Sequence, residues 1–480
     1  MHPSVVVRRS AATNALRSLA RGGWLMAVLL LNGGCRASER QGPVALAPPP
    51  PLAPSSAAGA VSESSPMQWP VPPPPALQAT DPLLWVALAA RLGPGSEAAV
   101  PGTAPLRLRA AAGMLSLVDG DGQRQMAAAL DLQWRWQTLP QPFQLRRRVL
   151  GPFASYESAD AEARRWAAAG AMPRIARPGD WEVWAPATAP ELPGLPSRVL
   201  DRLVSGRALP VLGRPEGGLP LRGPIRIEAP GGLLWQGGRY AGPFHLISDA
   251  HGTWTLLEAV PLERYLEGVV PHEIGPGAPA EALAAQAVLA RTWAVRNRGR
   301  YAVDGYHLCA DTQCQVYSDP GQASAAVRAA IAATRGEVLA ADGVPIQAVY
   351  HASNGGVAAG LEEAWEVEAV PYLRPFLDGT PAATARWPLP IASAALPGLL
   401  QEVAPFNGAD HPLFRWQRQL SASAIATALA ARGEGVGAVR GLRVLERGAS
   451  GRVLAIARSE EHTSELQSHS DLVCRLLLEK

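Results

Sequence analysis

Lysine is almost missing from this chain of 480 residues: Lys480 is the only one, and the other strongly basic residues are arginines. The formal net charge is also small, at +3, and this gives no case for a nucleic-acid partner. The apolar run at residues 24–31 is too short to span a bilayer comfortably. Alanine, glycine, proline and arginine abound instead, and the length is enough for two or three domains.

The amino-terminal residues 1–35 have the pattern of an export signal. Four arginines between residues 8 and 21 precede the apolar run, which ends in small residues before Cys35. This arrangement resembles a lipoprotein cleavage site with Cys35 as the lipidated residue. Asn32 fits that pattern poorly, so plain cleavage or an uncleaved anchor stays open. We expect an exported protein of the periplasm or cell envelope, in contact with a membrane only through such an anchor.

Residues 36–80 are rich in Pro, Ala and Ser, a composition that favours an extended linker without a core. Residues 81–220 are predicted to be a small α/β region. Within it, an apolar helix is predicted from Leu83 to Leu92, and the turn 119–122 predicts a hairpin. The Asp-x-Asp-Gly of this turn suggests a calcium loop, but the further ligands of such a loop are missing, so a plain turn is predicted.

The segment of about residues 148–186 resembles one unit of a SPOR domain. In such a unit a strand ends in Gly-Pro-Phe, an alanine-rich helix follows and further strands return, here at residues 175–176 and 181–184. SPOR domains bind glycan strands stripped of peptides, so the resemblance implies a glycan-binding unit at this place.

A buried central helix is predicted over residues 279–296. Pro279 suits the first helical position, and alanine, the best helix former, fills the middle. One stripe at helical spacing consists of apolar and small residues: Leu283, Ala287, Ala290 and Ala294. Because small side chains let other backbone approach closely, we expect this helix to lie in the core.

Glu273 is predicted to lie in an apolar turn before this helix, within Val-Val-Pro-His-Glu-Ile-Gly-Pro-Gly. A carboxylate between apolar residues and a buried helix should be partly desolvated, which raises its pKa. A raised pKa suits a general acid that works near neutral pH. The alternative is a solvated loop glutamate without a chemical role.

The residues from Glu273 to Trp293 resemble the signature of the SpoIID/LytB family. That signature is a Glu-Met/Ile-Pro turn followed by E-A-L-x-A-Q-A-x-A-A-R-T-Y/W, and Gly275 stands here in place of its proline. The resemblance begins at about residue 262 and runs to about residue 457, within a domain predicted over residues 221–457, and it implies an α+β fold, rich in strands around the central helix.

The resemblance also implies an activity, because family members studied as enzymes are lytic transglycosylases of peptidoglycan. Glu273 corresponds to their catalytic residue. Gln286 and Arg291 match the signature of the helix, and they are expected to orient Glu273 or to bind the substrate.

Cys309 and Cys314 lie five residues apart, and in an exported protein such a pair can form a disulfide or contribute to a metal site. Members of the family often carry C-x-x-x-H-C-Q here, and some bind zinc through Cys and His. Gln313 stands at the position of that His, which leaves His307, Cys309 and Cys314 as candidate zinc ligands. A disulfide and a structural zinc stay open as alternatives, and the proposed chemistry requires no cofactor.

The block from His351 to Gly356 resembles the H/Y-S-x-x-G-G block of the family, which lies near the catalytic Glu. Ser353 and Asn354 are expected to bond sugar hydroxyls, and Gly355 and Gly356 to present backbone N–H groups to the ligand. An ordinary polar turn is the alternative.

Residues 458–480 differ from everything before them, because Ala, Gly and Pro vanish there. This segment resembles the translation of a sequencing-library adapter and is treated as artefactual. Family members continue with further strands beyond the Ser-Gly-Arg of residues 450–452, so we expect the domain to be truncated at its carboxy terminus.

The sequence predicts two alternative functions. The first is a lytic transglycosylase that cleaves the β-1,4 bond between N-acetylmuramic acid and N-acetylglucosamine and leaves a 1,6-anhydro product. The second is a peptidoglycan-binding amidase enhancer without catalysis. Both predict glycan strands, with or without peptide, as the partner, and the second adds a cell-wall amidase.

Overall fold

The computed structural model describes residues 6–9, 66–78, 82–95, 104–365, 367–431, 438–459 and 466–469. The fold is α+β and rich in strands, as the sequence predicts. Within the described ranges, no helix combines the length and the apolar character that crossing a membrane requires. Cys35 and most of the predicted signal, linker and tail lie outside the described residues.

The strands are β1 (Val6–Arg9), β2 (Leu83–Leu92), β3 (Leu106–Ala110), β4 (Leu115–Val118), β5 (Arg124–Ala127), β6 (Ala129–Phe153), β7 (Arg174–Ala176), β8 (Trp181–Pro186), β9 (Ser197–Leu212), β10 (Leu219–Pro220), β11 (Ile225–Glu228), β12 (Leu233–Trp235), β13 (Gly238–Tyr240), β14 (Phe244–Ser248), β15 (Trp254–Pro261), β16 (Leu308–Cys309), β17 (Glu337–Ala341), β18 (Val344–Pro345), β19 (Val357–Ala358), β20 (Phe376–Leu377), β21 (Gly441–Arg447), β22 (Val453–Ser459) and β23 (Leu466–His469). The helices are α1 (Tyr156–Ala168), α2 (Leu262–Ile274), α3 (Ala280–Asn297), α4 (Ala325–Ala333), α5 (Leu361–Ala364), α6 (Pro381–Arg386), α7 (Leu396–Gln401) and α8 (Ala422–Ala431).

Two large sheets carry the fold. One has the strand order β16-β2-β15-β14-β11-β4-β5, and only its β16–β2 pair is parallel. The other runs β10-β9-β6-β3-β12-β13, with β8 also paired to β6 and β7 paired to β8. Three smaller sheets are β1-β17-β18, β19-β20 and β21-β22-β23. The predicted turn at residues 119–122 does join a hairpin, β4–β5.

The prediction of a helix from Leu83 to Leu92 is wrong, because this segment is strand β2. It lies inside a sheet, between β15 and β16. Leu84, Val86 and Leu88 are all buried, which is the two-residue period of a strand. Its leucines and alanines favour a helix locally, but pairing on both edges overrides that weak preference.

The boundary predicted at residue 220 does not coincide with a break between sheets. Strands β2, β4 and β5, from the predicted α/β region, pair within the same sheet as β11, β14 and β15. One hydrophobic core accordingly contains Leu84 and Leu117 together with Ile227, Leu256 and Leu283. The strands on both sides of residue 220 therefore form one packed unit with α2 and α3.

The end of the predicted linker, residues 66–78, is extended as expected but packed on this unit. Gln68 and Trp69 are buried, and the Trp69 N–H donates to the carbonyl of Ala250 across 3.1 Å. The prediction that this part is a linker without a core is therefore wrong. The indole of Trp69 covers apolar surface, and the proline-rich composition of the segment does not predict this contact with the core.

The unit at about residues 148–186 has the predicted order of a strand, a helix and returning strands. Strand β6 ends at Phe153, α1 follows, and β7 and β8 return antiparallel to each other, with β8 also on β6. Ser155 caps α1, and the side chain of Trp166, on this helix, is fully buried. The likeness to a SPOR domain itself stays a prediction.

Candidate active site

Helix α3 is the buried central helix that the sequence predicts. Its stripe of Leu283, Ala287, Ala290 and Ala294 is fully buried. The helix begins one residue later than predicted, because Pro279 is its N-cap and not its first helical residue. The small side chains let α4 and β17 pack directly against α3.

Helix α2 carries Glu273 on its last turn. The predicted turn at residues 269–271 is wrong, since α2 continues through Pro271 to Ile274. Gly275 ends the helix with a φ of 84°, a conformation that favours glycine. Glycine in place of the family's proline therefore acts as a helix stop, and Glu273 lies on the last turn, at the negative end of the helix dipole.

The Glu273 carboxylate is half-buried and receives two hydrogen bonds. The backbone N–H of Val316 donates to its Oε1 across 3.1 Å, and the Tyr350 hydroxyl also bonds to it. Burial raises the pKa of Glu273, while these two bonds and the charge of His272 act in the opposite direction. The alternative of a solvated loop glutamate does not describe this environment.

Tyr350 belongs to a chain of hydrogen bonds that leads into the core. Gln315 Nε2 donates to the Tyr350 oxygen across 2.8 Å, and the Tyr265 hydroxyl donates to Gln315 Oε1 across 3.2 Å. Burial raises the pKa of Tyr265 and of Tyr350, so both phenols stay protonated and available as donors. Sequence reasoning missed Gln315 and Tyr350, although they adjoin Cys314 and His351 in the blocks that resemble the family.

The cysteine pair forms a disulfide, Cys309–Cys314. His307 is used elsewhere: its Nδ1 accepts from the Trp85 N–H across 2.8 Å, and its Nε2 lies 3.0 Å from the carbonyl oxygen of Pro75. Burial lowers the pKa of His307 to about 4, so it is neutral. The described residues offer no group of three ligands for a metal, and the predicted zinc set of His307 and these cysteines is wrong.

Arg291 has a different position from the one predicted for a substrate-binding residue. Its side chain is only 1% exposed and makes a bidentate pair with Glu263, with N–O distances of 2.9 and 2.7 Å. It also donates to the carbonyls of Ile331 and Glu337. Arg291 therefore joins α3 to α2, to the end of α4 and to β17, and its guanidinium is engaged within the fold.

Gln286 is also buried, at 7% exposure. Among the described residues its Nε2 has no hydrogen-bond partner. Its predicted role toward substrate or Glu273 stays a prediction.

The block 353–356 forms a tight polar turn. Asn354 Oδ1 accepts from the Gly356 N–H across 2.8 Å, and Ser353 Oγ accepts from the Gly355 N–H across 3.2 Å. Asn354 Nδ2 donates to Asp378 across 2.7 Å. The alternative of an ordinary polar turn describes these bonds, and the sugar contacts of Ser353, Asn354, Gly355 and Gly356 stay a prediction.

These features define a class of site: one half-buried carboxylate with a raised pKa, held by neutral donors at the end of a helix. Residues 250–340, which contain Glu273, α3 and the disulfide, match the family model described as Stage II sporulation protein (SpoIID). Through this region the chain is similar to the SpoIID/LytB family. Residues 359–479 match a model described as a domain of unknown function (DUF8618), and Tyr350 lies between the two matches.

Three relatives illustrate the likeness. An uncharacterized protein of Brachyspira hyodysenteriae is 34% identical over 153 residues, which are 31% of this chain and 40% of the relative. Stage II sporulation protein D of Bacillus amyloliquefaciens is 35% identical over 134 residues, covering 25% and 38%. The amidase enhancer of Bacillus subtilis is 38% identical over 108 residues, covering 22% and 14%. The chain thus spans 40% or less of these relatives, which support a role related to the cell wall.

Proposed function

We propose that this chain is a lytic transglycosylase that cleaves the β-1,4 bond between N-acetylmuramic acid and N-acetylglucosamine in peptidoglycan. One observation carries the proposal: Glu273 is half-buried, has a raised pKa and is held by Val316 and Tyr350. A carboxyl group with a raised pKa keeps its proton to a higher pH than an ordinary one and can release that proton to a leaving oxygen.

The reaction needs one carboxyl group in two roles. Glu273 first donates its proton to the glycosidic oxygen, and the bond to the muramic acid C1 breaks. The carboxylate that results takes the proton of the same sugar's 6-hydroxyl as that oxygen attacks C1 and closes a 1,6-anhydro ring. Since water is not the acceptor, the second carboxylate of ordinary glycosidases is not needed.

The two donors stabilise the carboxylate between these steps. The Val316 N–H and the Tyr350 hydroxyl bond to the charged form, and such hydrogen bonds to an ion are worth about 1.5–3 kcal/mol each. The two bonds lower the pKa of Glu273, but burial outweighs them and the pKa stays raised, whereas a paired arginine would lower it further.

We further propose that the protein acts outside the cytoplasm, on peptide-free glycan strands, with an amino-terminal anchor as its membrane contact. The Cys309–Cys314 disulfide supports an oxidising compartment. The proposed reaction requires no cofactor.

The second candidate is a glycan-binding protein that enhances a cell-wall amidase. It is supported by the printed name of the relative from Bacillus subtilis, an amidase enhancer. In this case Glu273 would bind glycan without cleaving it.

Mass spectrometry of digests of peptide-stripped glycan strands separates the two candidates. We expect the full chain to release fragments with 1,6-anhydro ends, and Glu273→Gln to release none while still binding strands. Glu281→Gln, at an exposed position on the first turn of α3, is the matched control and should cleave normally. Reducing ends in place of anhydro ends would indicate hydrolysis, and intact but bound strands would favour the amidase enhancer.

A further inference from the structure

The disulfide Cys309–Cys314 closes a loop whose first end is fixed to a sheet. Leu308 and Cys309 form β16, which pairs in parallel with Val86 and Ala87 of β2. Cys309 is buried, so its sulfur is held by the strand that carries it. The disulfide therefore fixes the position of Cys314 relative to strand β16.

The two residues that follow Cys314 both serve the active site. The Gln315 side chain donates to Tyr350, which bonds to Glu273, and the Val316 backbone N–H donates to Glu273 itself. Both donors are thus one or two residues from a sulfur that is tied to the sheet. Val316 is exposed on its outer side, so packing of its own side chain contributes little to holding that N–H in place.

Hydrogen bonds also hold the loop. The Cys314 N–H donates to the Asp311 carbonyl across 3.0 Å, and the Tyr317 N–H donates to the Ala310 carbonyl across 3.1 Å. These two bonds lie within the loop, while the bonds from Arg300 Nη1 to the Gln313 carbonyl and from the Ser318 N–H to the Gly268 carbonyl, each across 3.1 Å, join it to other elements. The disulfide is the covalent bond that crosses from the strand to the segment with the donors.

We propose that the Cys309–Cys314 disulfide positions the donors of Glu273, so that glycan cleavage requires the oxidised chain. This inference rests on the proposed transglycosylase function and adds its regulation by thiols. The chemistry is exchange with a dithiol: the S–S bond accepts two electrons and two protons and becomes two cysteine thiols, while the dithiol closes its own disulfide. The reduced loop stays folded but no longer fixes Val316 and Gln315 against the catalytic carboxylate.

The test compares oxidised and reduced full chain in a Cys35→Ser/Cys474→Ser background, so that only this disulfide reacts. After treatment with dithiothreitol and a count of two free thiols, we expect kcat for glycan cleavage to fall about tenfold or more, since misplacement by about 1 Å can cost about a hundredfold. KM should stay within about twofold, and reoxidation should restore kcat. Equal kcat in the two forms overturns the proposal.

A second variant keeps the proposal testable if the reduced chain unfolds. Val316→Pro removes the N–H donor and leaves the disulfide intact. Because that bond lowers the pKa of Glu273, its loss should reduce kcat and move the alkaline limb of the kcat profile to higher pH. Full activity of Val316→Pro overturns the proposal whatever the reduced chain does.

The same experiment distinguishes failure of the proposed transglycosylase function from failure of the proposed role of the disulfide. Absence of cleavage by the oxidised parent chain means that the proposed function has failed. Cleavage by the oxidised parent, loss in Glu273→Gln and no response to reduction mean that only the role of the disulfide has failed.

Discussion

The Val316 N–H and the Glu273 carboxylate meet across 3.1 Å, although 43 residues separate them in the chain. The acceptor lies on the last turn of helix α2, and the donor lies on the loop that follows the disulfide. A second bond, from the Ser318 N–H to the Gly268 carbonyl across 3.1 Å, docks the same loop on the middle of α2. The candidate site thus depends on how closely this loop approaches the helix.

Gly268 permits that close approach, and Gly268→Ala should disturb it. A Cβ at this position would lie 2.5 Å from the Ser318 carbonyl oxygen and 2.6 Å from the Tyr317 ring, so the loop must move away. We expect kcat to fall about tenfold or more as Val316 shifts. Gly277→Ala is the matched control, because a Cβ there meets no atom within 4 Å. Steady-state kinetics on glycan strands measures both, and equal activities would contradict the prediction.

Tyr350→Phe should weaken the acid without unfolding the chain. The variant removes a hydrogen bond to the charged form of Glu273, which we expect to lower kcat about tenfold, equivalent to about 1.4 kcal/mol. Because this bond lowers the pKa of Glu273, its loss should also move the alkaline limb of the kcat profile upward. A lower kcat with an unmoved limb would mean that Tyr350 acts by another route.

Cleavage should be favoured on the acid side of neutrality. The first step uses protonated Glu273, and burial raises its pKa above the ordinary value of 4.5. Activity should therefore be full below the raised pKa and should be lost as pH rises through it. A profile of kcat against pH tests this, and an alkaline limb below pH 4.5 would be incompatible with the burial of Glu273.

Arg291→Met should destabilise the fold more than it changes the chemistry. It leaves the Glu263 carboxylate, which is only 15% exposed, without its bidentate partner, at a cost of about 3–5 kcal/mol. Arg264→Met breaks the pair with Glu267 on the same helix, where Arg264 is 40% exposed, and should cost about 0–1 kcal/mol. Urea unfolding followed by circular dichroism measures both, and similar losses would argue against the joining role of Arg291.

His307 should make the fold sensitive to acid. Its pKa is lowered by burial from 6.5 to about 4, so the unfolded chain binds a proton there more readily than the folded chain. The stability from neutral His307 is complete above pH 6.5 and is lost as pH falls toward about 4, by about 3 kcal/mol at most. The free energy of unfolding should fall less over this interval in His307→Gln, and an unchanged slope would contradict the prediction.

Some of these features follow from short-range pattern and some do not. The stripe of Leu283, Ala287, Ala290 and Ala294 predicts α3 because helical spacing is local, and the structure buries all four residues. The same local preferences predict a helix at Leu83–Leu92, where the structure has strand β2. Strand pairing there involves β15 and β16, which are distant in the chain, so no local signal contains it.

The residues of the site divide in the same way. Glu273 could be proposed from the sequence, because an acidic residue beside an apolar segment and a matching signature mark it. Arg291 matches the same signature but lies in the core, since its guanidinium bonds to Glu263 and to backbone carbonyls. A signature records which residue types occur together and does not distinguish contact with substrate from support of the fold.

By itself, the sequence determined the central helix and the candidate carboxylate, and it left a disulfide and a zinc site as the two alternatives for Cys309 and Cys314. Tertiary structure alone decided that α2 extends to Glu273, that the cysteines form a disulfide and that Val316, Gln315 and Tyr350 serve the carboxylate. The reason is physical: helices depend on contacts three and four residues apart, whereas the pKa of Glu273 depends on burial and on donors that reach it only when the chain is folded.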